Sequence, residues 1–227
     1  MTPFAYMDYR KNNIIINLHM HSNESGGEYS YEEIILSSYE CKYDIISITD
    51  HDSLEVQEKA IEYSKEVNIK YIISVEISAL YYGREVHILA YFRDLPPKEF
   101  NEYIRSQAII KEISNKRKNK KSCGSKITNV EDIVARVHQF GGIAILAHPI
   151  YYNDILEPLL KLTDGLELLH PDHSLAFINY LIKKYGGNKI MFTCGTDLYE
   201  GNPENIPYMI LAERLHEFFL PFIKSIT

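Results

Sequence analysis

The sequence predicts a mixed α/β fold in which mostly parallel strands form a barrel, and three observations support this prediction. Short apolar runs of strand length alternate with helix-like stretches along the chain. Most of these runs end in a histidine or a carboxylate. Because the carboxyl ends of parallel barrel strands meet at one mouth, the polar side chains are expected to converge there. With 227 residues, the chain is long enough for one such domain with a well-buried core.

The first half of the chain is predicted to contain two strand–helix units followed by a hairpin. Ser30 and Glu33 form a capping box that begins the first helix. Asp52 or Ser53 is predicted to cap the second helix, and Gly83 lies in a predicted tight turn between the hairpin strands. The predicted elements of this half are strands at 14–18, 45–49, 71–78 and 86–92 and helices at 30–41 and 52–67.

The second half is predicted to alternate helix and strand after a small helical and basic insertion near residues 96–130. Pro96 and Pro97 begin this insertion, and Asn129 is predicted to cap the helix that follows it, which reaches residue 140. The later predicted elements are strands at 143–147, 165–169 and 190–193 and helices at 154–162 and 174–185. An amphipathic stretch at 211–226 is expected to pack on the outside of the barrel. We therefore expect a single domain over residues 1–227.

Net charge and cysteine content limit the class of protein. The formal net charge of -7 argues against a protein that coats nucleic acid, although bound cations would still allow a phosphate substrate. The three cysteines, Cys41, Cys123 and Cys194, are far apart in sequence, as is typical of the reducing cytoplasm. No apolar run is long enough to span a membrane, and the first residues lack the pattern of a secretory leader. We expect a cytoplasmic protein with no membrane association and no obligate protein partner.

Histidines at strand ends are the first candidate metal ligands. His19 and His21 follow a predicted strand, where residues i and i+2 point to the same side, so two imidazoles can bind one ion. Taken alone, this pattern fits a pair of polar loop histidines equally well. His51 ends the next strand, and Asp50 beside it is placed to orient an imidazole. Asp52 is interpreted as a helix cap rather than a ligand.

Four further polar residues lie within or at the end of apolar strands. Glu76 lies inside such a strand, where an unpaired charge is costly, so it needs a cation or a partner. The alternative is an ion pair with Arg84 or Lys70 at a sheet edge. The other three residues are His87, His148 and Asp197. Each of them has an ordinary structural explanation, but their shared position at strand ends favours one metal centre.

Seven short motifs occur in a fixed order between about residues 13 and 200. They are LHMHS at 18–22, ITDHD at 48–52, VEIS at 75–78, HILAY at 87–91, AHP at 147–149, LELLHPDHS at 166–174 and GTD at 195–197. Together they resemble the polymerase and histidinol phosphatase (PHP) family of metal-dependent phosphoesterases, most closely its stand-alone nucleotide phosphatases and small 5′-to-3′ exonucleases. The resemblance implies a distorted (β/α)₇ TIM-like barrel with up to three metals at the strand ends.

The resemblance also implies which residues hold the metals. The first ion is assigned to His19, His21, Glu76 and Asp197, and the second to His87 and His148 with Glu76 shared. The third site of the family uses positions that are Gly26 and Tyr199 here, which leaves only His51 from that set. We therefore expect two ions, with the third site absent or weak. Mixed imidazole and carboxylate ligands favour Mn²⁺ or Zn²⁺, with Fe²⁺ as a further option.

The implied activity is hydrolysis of phosphate esters of a small, nucleotide-like substrate by a hydroxide that two metals activate. His51, His173 and Tyr199 are candidate catalytic acids or phosphate contacts. His173 is equally interpreted as a helix cap, and His170 is expected to be structural. Two alternatives stay open. One is a 5′-to-3′ exonuclease acting on short oligonucleotides, and the other is a catalytically weakened metal-binding or partner-binding module.

The basic run at residues 111–126 has two interpretations. It is either a solvated helix end and loop, or a cationic lid over the phosphate in which Arg105 and Arg117 bind the substrate. A lid this short would suit a nucleotide or a short oligonucleotide better than a long duplex.

Overall fold

The computed structural model describes residues 15–107, 129–186 and 190–200. The basic run at 111–126, with Arg117, and the predicted 211–226 stretch lie outside the described residues. The strands are β1 (Ile16–Asn17), β2 (Ile45–Ile46), β3 (Lys70–Tyr71), β4 (Ile73–Tyr81), β5 (Arg84–Phe92), β6 (Ile143–Leu146), β7 (Gly165–Leu169) and β8 (Met191–Cys194). The helices are α1 (Tyr31–Glu40), α2 (Gln57–Val67), α3 (98–107, as far as it is described), α4 (Val130–Gln139), α5 (Leu156–Leu160) and α6 (Leu175–Tyr185). A short 3₁₀ helix spans Pro149–Tyr152.

The strands form one three-stranded and one five-stranded sheet. The first contains β1, β2 and β3 in parallel. In the second, β4 and β5 form the predicted antiparallel hairpin, β6 is antiparallel to β5, and β6, β7 and β8 are parallel. The hairpin explains the distortion, since an antiparallel strand replaces one strand–helix unit of a regular parallel barrel.

Backbone hydrogen bonds join the two sheets at both edges. Only Ile72 separates β3 from β4, and its N–H donates to the carbonyl of Ile46 at 2.9 Å. At the other edge, the N–H of Leu18 donates to the carbonyl of Cys194 at 3.0 Å. If β3 and β4 count as one interrupted strand, seven strands follow one another around a distorted ring. The prediction of an α/β, TIM-like fold is therefore confirmed.

The core confirms that the strands surround a common interior. One apolar cluster takes residues from both sheets, as expected for the packed inside of a barrel. Its buried members are Ile16, Leu18, Ile45, Ile72, Leu89, Tyr91, Ile145, Ala147 and Cys194. Two further clusters lie outside the ring, one under α1 and α2 and one that includes residues of α3 to α6. No helix in the described part of the chain is both long and apolar enough to cross a membrane.

The helix caps show where local sequence patterns hold and where they fail. The capping box is confirmed, because the hydroxyl of Ser30 accepts from the N–H of Glu33 and the Glu33 carboxylate accepts from the N–H of Ser30. The Asp52 or Ser53 cap is wrong, since α2 begins at Gln57. Asp52 instead accepts a hydrogen bond from the N–H of Ser78 at 2.7 Å, so it satisfies a donor on the open edge of β4.

Candidate metal centre

The fold brings the predicted ligand residues together around one buried carboxylate, that of Glu76. Its Oε2 faces Nε2 of His21 at 3.0 Å and Nε2 of His19 at 3.2 Å. Its Oε1 faces Nδ1 of His87 at 3.0 Å and Nε2 of His148 at 3.2 Å. The alternative ion pair with Arg84 is not formed, because Arg84 binds Asp154 at 2.6 Å. Each oxygen of Glu76 therefore faces its own set of nitrogen donors.

The donors on the Oε2 side have the spacing of a tetrahedral metal site. Nε2 of His19 and Nε2 of His21 lie 3.2 Å apart, and Oδ1 of Asp197 lies 3.3 and 3.1 Å from them. Donors about 2.1 Å from one ion at tetrahedral angles are roughly 3.4 Å apart, so these separations fit a single ion. These three residues and Glu76 form a group whose ligand atoms all lie within 4.8 Å of one another.

Close packing brings the Asp197 segment against β1. A Cβ atom at Gly195 would lie 2.1 Å from the Cβ of His19, so only glycine lets the segment approach this closely. The N–H of Thr196 and the N–H of Asp197 then donate to the carbonyl of His19. Asp197 itself has a φ of 49°, a left-handed conformation that is uncommon for aspartate and that aims its carboxylate at the two imidazoles.

The donors on the Oε1 side form a second group. Nδ1 of His87 and Nε2 of His148 lie 3.3 Å apart, and both face Oε1 of Glu76. His51 lies between the two groups, because its ligand atom and those of Glu76 and His87 lie within 4.8 Å of one another, while its Nδ1 faces Oε2 of Glu76 at 3.4 Å. Nδ1 of His51 and Nδ1 of His148 are buried, and neither makes a hydrogen bond to the described residues. A buried imidazole nitrogen with no partner is consistent with a centre that takes up an ion or a ligand.

The carboxylates of the centre stay ionised at neutral pH. Burial alone would raise the pKa of Glu76, but the imidazoles of His19 and His87 hold it well below its usual range. Burial also opposes ionisation of Asp197, yet its hydrogen bonds to His170 and His21 keep its pKa low. For His51, burial is the largest cause and lowers the pKa to about 4. The centre therefore offers anionic oxygens and a neutral His51 imidazole, which are both able to bind a divalent cation.

Supporting side chains fix the orientation of the ligands on the Oε2 side. Glu167, fully buried in β7, accepts from Nδ1 of His19 at 3.1 Å and from the backbone N–H of His148 at 2.8 Å. His170 accepts the N–H of Asp172 at Nδ1, so its Nε2 carries the proton and donates to Oδ2 of Asp197 at 3.3 Å. These contacts leave Nε2 of His19 and Oδ1 of Asp197 free to face an ion.

His21 and His87 are oriented in the same way. Nδ1 of His21 donates to the hydroxyl of Ser25, which in turn donates to Asp50 at 2.6 Å. Asp50 therefore orients an imidazole as predicted, but through Ser25 rather than directly. Nε2 of His87 faces the carboxylate of Glu85 at 3.0 Å, two residues earlier on the same face of β5.

The centre opens into a cavity of about 360 Å³. The residues that line it are His51, Glu76, Glu85, His87, His148, Tyr151, Tyr152, Asp197 and Tyr199. Among the described residues, the wall of this cavity carries no lysine or arginine. The described part of the wall offers carboxylates, imidazoles and phenols to a ligand.

Comparison with known proteins agrees with this geometry. The model of the PHP domain family matches residues 17–219. The chain belongs to the PHP domain family. Because members of this family are hydrolases that act on phosphate esters, the PHP domain described here is a metal-dependent phosphoric ester hydrolase.

Two curated relatives show the range of activities near this PHP domain. A 5′-3′ exoribonuclease of Haemophilus influenzae is 24% identical over 190 residues, which cover 60% of this chain and 69% of the relative. A phosphoribosyl 1,2-cyclic phosphate 1,2-diphosphodiesterase of Eggerthella lenta is 23% identical over 257 aligned positions, which cover 86% of this chain and 98% of the relative.

Solved structures share the fold of this PHP domain at low sequence identity. A candidate metal-dependent phosphoesterase of Bifidobacterium adolescentis aligns with a TM-score of 0.69 and 17% identity, over 90% of this chain and 95% of the other. An amidohydrolase of Chromobacterium violaceum, with bound sulfate and no metal, aligns with a TM-score of 0.68 and 16% identity over 86% and 90%. At these identities the likeness establishes the fold alone.

The predicted catalytic and substrate residues of the PHP domain are only partly brought together. Tyr199 and His51 both line the cavity, the phenol oxygen of Tyr199 contacts Nε2 of His51, and the Tyr199 ring stacks on His21 at 4.2 Å. His173 does not line the cavity, since its Nδ1 binds the carbonyl of Leu168. The helix-cap interpretation of His173 is wrong, because α6 is capped by Ser174. Arg105 pairs with Glu55 at 2.9 Å away from the cavity wall.

Several residues that support or line the centre were not predicted from the sequence. Glu167, like Glu76, is a carboxylate within an apolar strand, and this pattern could have predicted its place beside the centre. His170 was expected to be structural, but it holds Asp197 in place. Glu85 and Tyr151 line the cavity, and no local pattern marks them.

Proposed function

We propose that this PHP domain hydrolyses phosphate esters of a small, nucleotide-like substrate with the help of two divalent ions. One observation carries the proposal: the two oxygens of the buried Glu76 carboxylate face separate groups of nitrogen donors. A bridging carboxylate of this kind is typical of two-metal hydrolases.

The proposed ligand set follows the two sides of Glu76. One ion would be held by His19, His21, Asp197 and Oε2 of Glu76, and the other by His87, His148 and Oε1 of Glu76. Mixed nitrogen and carboxylate donors suit Mn²⁺ or Zn²⁺, with Fe²⁺ as a further option. When bound, such ions act as Lewis acids that lower the pKa of water and neutralise charge on phosphoryl oxygens.

The residues of the chain itself would bind and orient the ester. Tyr199 places a protonated phenol beside His51, since burial raises the pKa of Tyr199 above its ordinary value. Both groups line the cavity, so either can hydrogen-bond a phosphate oxygen or the leaving oxygen of the ester. Tyr152 and His148 limit the access of water on another part of the wall, since both are at least nine-tenths buried.

The size of the cavity and the names of the relatives support a nucleotide-like substrate. At about 360 Å³, the cavity is in the range of small-ligand sites. The two curated relatives are named for RNA and for a phosphoribosyl cyclic phosphate, which both contain a ribose phosphate ester. The exonuclease alternative is favoured by the first of these relatives, whereas the intact ligand geometry supports an active enzyme over a non-catalytic module.

A substrate panel tests the proposal. The enzyme loaded with Mn²⁺, Zn²⁺ or Fe²⁺ would be assayed on nucleoside monophosphates, a ribose cyclic phosphodiester and a 3′-labelled oligoribonucleotide. Phosphate release from the first class or ring opening of the second supports the proposal, and a ladder from the oligonucleotide supports the exonuclease instead. The His19→Ala variant controls for contaminating phosphatases. No turnover of any substrate with any of the three metals would overturn the proposal.

We also propose a cytoplasmic location. The odd number of cysteines supports this proposal, and Cys41 and Cys194 form no disulfide bond with each other.

A further inference from the structure

Tyr151 is a half-exposed aromatic residue on the wall of the cavity. Its exposed fraction is 51%, although it belongs to the 3₁₀ helix that directly follows His148. The Tyr151 ring lies 5.2 Å from the His148 ring, with the two planes at 65°. An apolar ring is therefore presented to solvent beside the proposed second ion.

Three contacts hold this exposed ring in place. The phenol of Tyr151 donates to the carboxylate of Asp172, which fixes the tip of the side chain. The backbone carbonyl of Tyr151 accepts from Arg84. In turn, Nη1 of Arg84 donates to both carboxylate oxygens of Asp154, at 2.6 and 2.7 Å. Because the ring is fixed before any ligand arrives, stacking on it would cost little conformational entropy.

The surroundings of Tyr151 favour a neutral planar group. The described cavity wall carries Glu85 and Tyr152 but no lysine or arginine, so it suits a neutral group better than a second anion. A nucleobase is neutral, planar and able to donate hydrogen bonds to carboxylates.

We infer that Tyr151 is the stacking platform for the base of a nucleotide whose phosphate ester lies at the Glu76 centre. This inference rests on the proposed function and adds the subsite that distinguishes a nucleotide from a bare sugar phosphate. Tyr151 is therefore a specificity-determining residue, and it plays no part in the chemistry at phosphorus.

Paired substrates test the inference in the metal-loaded enzyme. We expect Tyr151→Ala to lower kcat/KM for adenosine 5′-monophosphate about 5- to 150-fold, the range for loss of one base–aromatic stack. The loss for ribose 5-phosphate, which has no base, should be at least fivefold smaller. Tyr151→Phe keeps the ring and should stay close to the wild type. Tyr82→Ala, on the exposed β4–β5 turn, is the matched control and should change neither substrate.

A fluorescence measurement reports on base binding without turnover. The chain contains no tryptophan, so Tyr151→Trp introduces a single reporter at the subsite. Titration with adenosine 5′-monophosphate should quench this tryptophan in a saturable manner. Tyr39→Trp, half exposed on α1 away from the cavity wall, should show no such quenching.

The outcomes separate this inference from the proposed function. Equal losses on both substrates in Tyr151→Ala, together with no saturable quenching in Tyr151→Trp, would overturn the inference while phosphoesterase activity stands. If neither substrate is turned over, the proposed phosphatase activity fails. Saturable quenching would even then support a base subsite, and its absence would overturn it.

Discussion

The two sides of the Glu76 carboxylate differ in how deeply their side chains are buried and in how many of them are held by hydrogen bonds. On the Oε2 side, the side chains of His19 and His21 are fully buried, and every proposed ligand has an orienting partner. On the Oε1 side, the side chain of His87 is 18% exposed. There, Nδ1 of His148 has no hydrogen-bond partner among the described residues.

This difference predicts that the two sides of the centre bind their ions with different affinities. Orienting partners raise the basicity of an imidazole and reduce the freedom it loses on binding, so they increase metal affinity. The Oε2 side is therefore expected to bind its ion more tightly. The Oε1 side borders the cavity, and Nδ1 of its His148 has no hydrogen-bond partner among the described residues. The ion on this side is therefore expected to exchange more readily and to contact the substrate.

Removing the shared carboxylate should abolish metal binding on both sides of Glu76, and it is the substitution with the largest expected effect. Glu76→Gln keeps the size of the side chain but loses the charge that faces five imidazole nitrogens. We expect both ions to be lost and kcat/KM to fall about a thousandfold or more, since metal-ion stabilisation supplies several kcal/mol. Elemental analysis and steady-state kinetics measure the two effects. An unchanged metal content would contradict the bridging role, and Glu157→Gln on the surface is the matched control.

A matched pair of neutral substitutions tests whether orientation sets the affinity of each side. Glu167→Gln should weaken the ion on the Oε2 side about 10- to 100-fold, because an amide cannot accept the His19 proton as strongly as a carboxylate. Glu85→Gln should weaken only the ion beside His87, and by about tenfold or less, because Glu85 is partly exposed. Competition with a calibrated chelator measures each constant. If both variants weaken the same site equally, the comparison between the two sides is wrong.

Metal titration of the unmodified protein sharpens the same comparison. The chelator-treated protein should bind ions in two classes, with dissociation constants about tenfold or more apart. Thermal stability should rise in the same order, since a ligand at 100 times its dissociation constant stabilises a protein by about 2.7 kcal/mol. Isothermal titration and thermal unfolding follow the two events. A single class of equal sites would show that the missing partners on the Oε1 side have no effect on affinity.

Local sequence patterns could predict the residues that gather at the centre because each of these signals lies within a few residues of the chain. A histidine or carboxylate at the end of an apolar run marks His19, His21 and His148, whichever strands turn out to be neighbours. The orienting partners depend on contacts across the fold. Glu167 and His19 are 148 positions apart in sequence. Asp52 failed as a cap for the same reason, since its partner Ser78 becomes a neighbour only when β4 is in place.

The smallest predicted effect concerns Tyr199, which contacts the rings of His21 and His51. Tyr199→Phe keeps the ring that stacks on His21 and removes only the phenol oxygen beside His51. Loss of one neutral hydrogen bond is worth about 1 kcal/mol, so we expect kcat to fall about three- to tenfold. Metal content should stay the same, because the proposed ligands are untouched. A changed metal content would instead place Tyr199 in the support of the ions, and an unchanged kcat would remove it from substrate binding altogether.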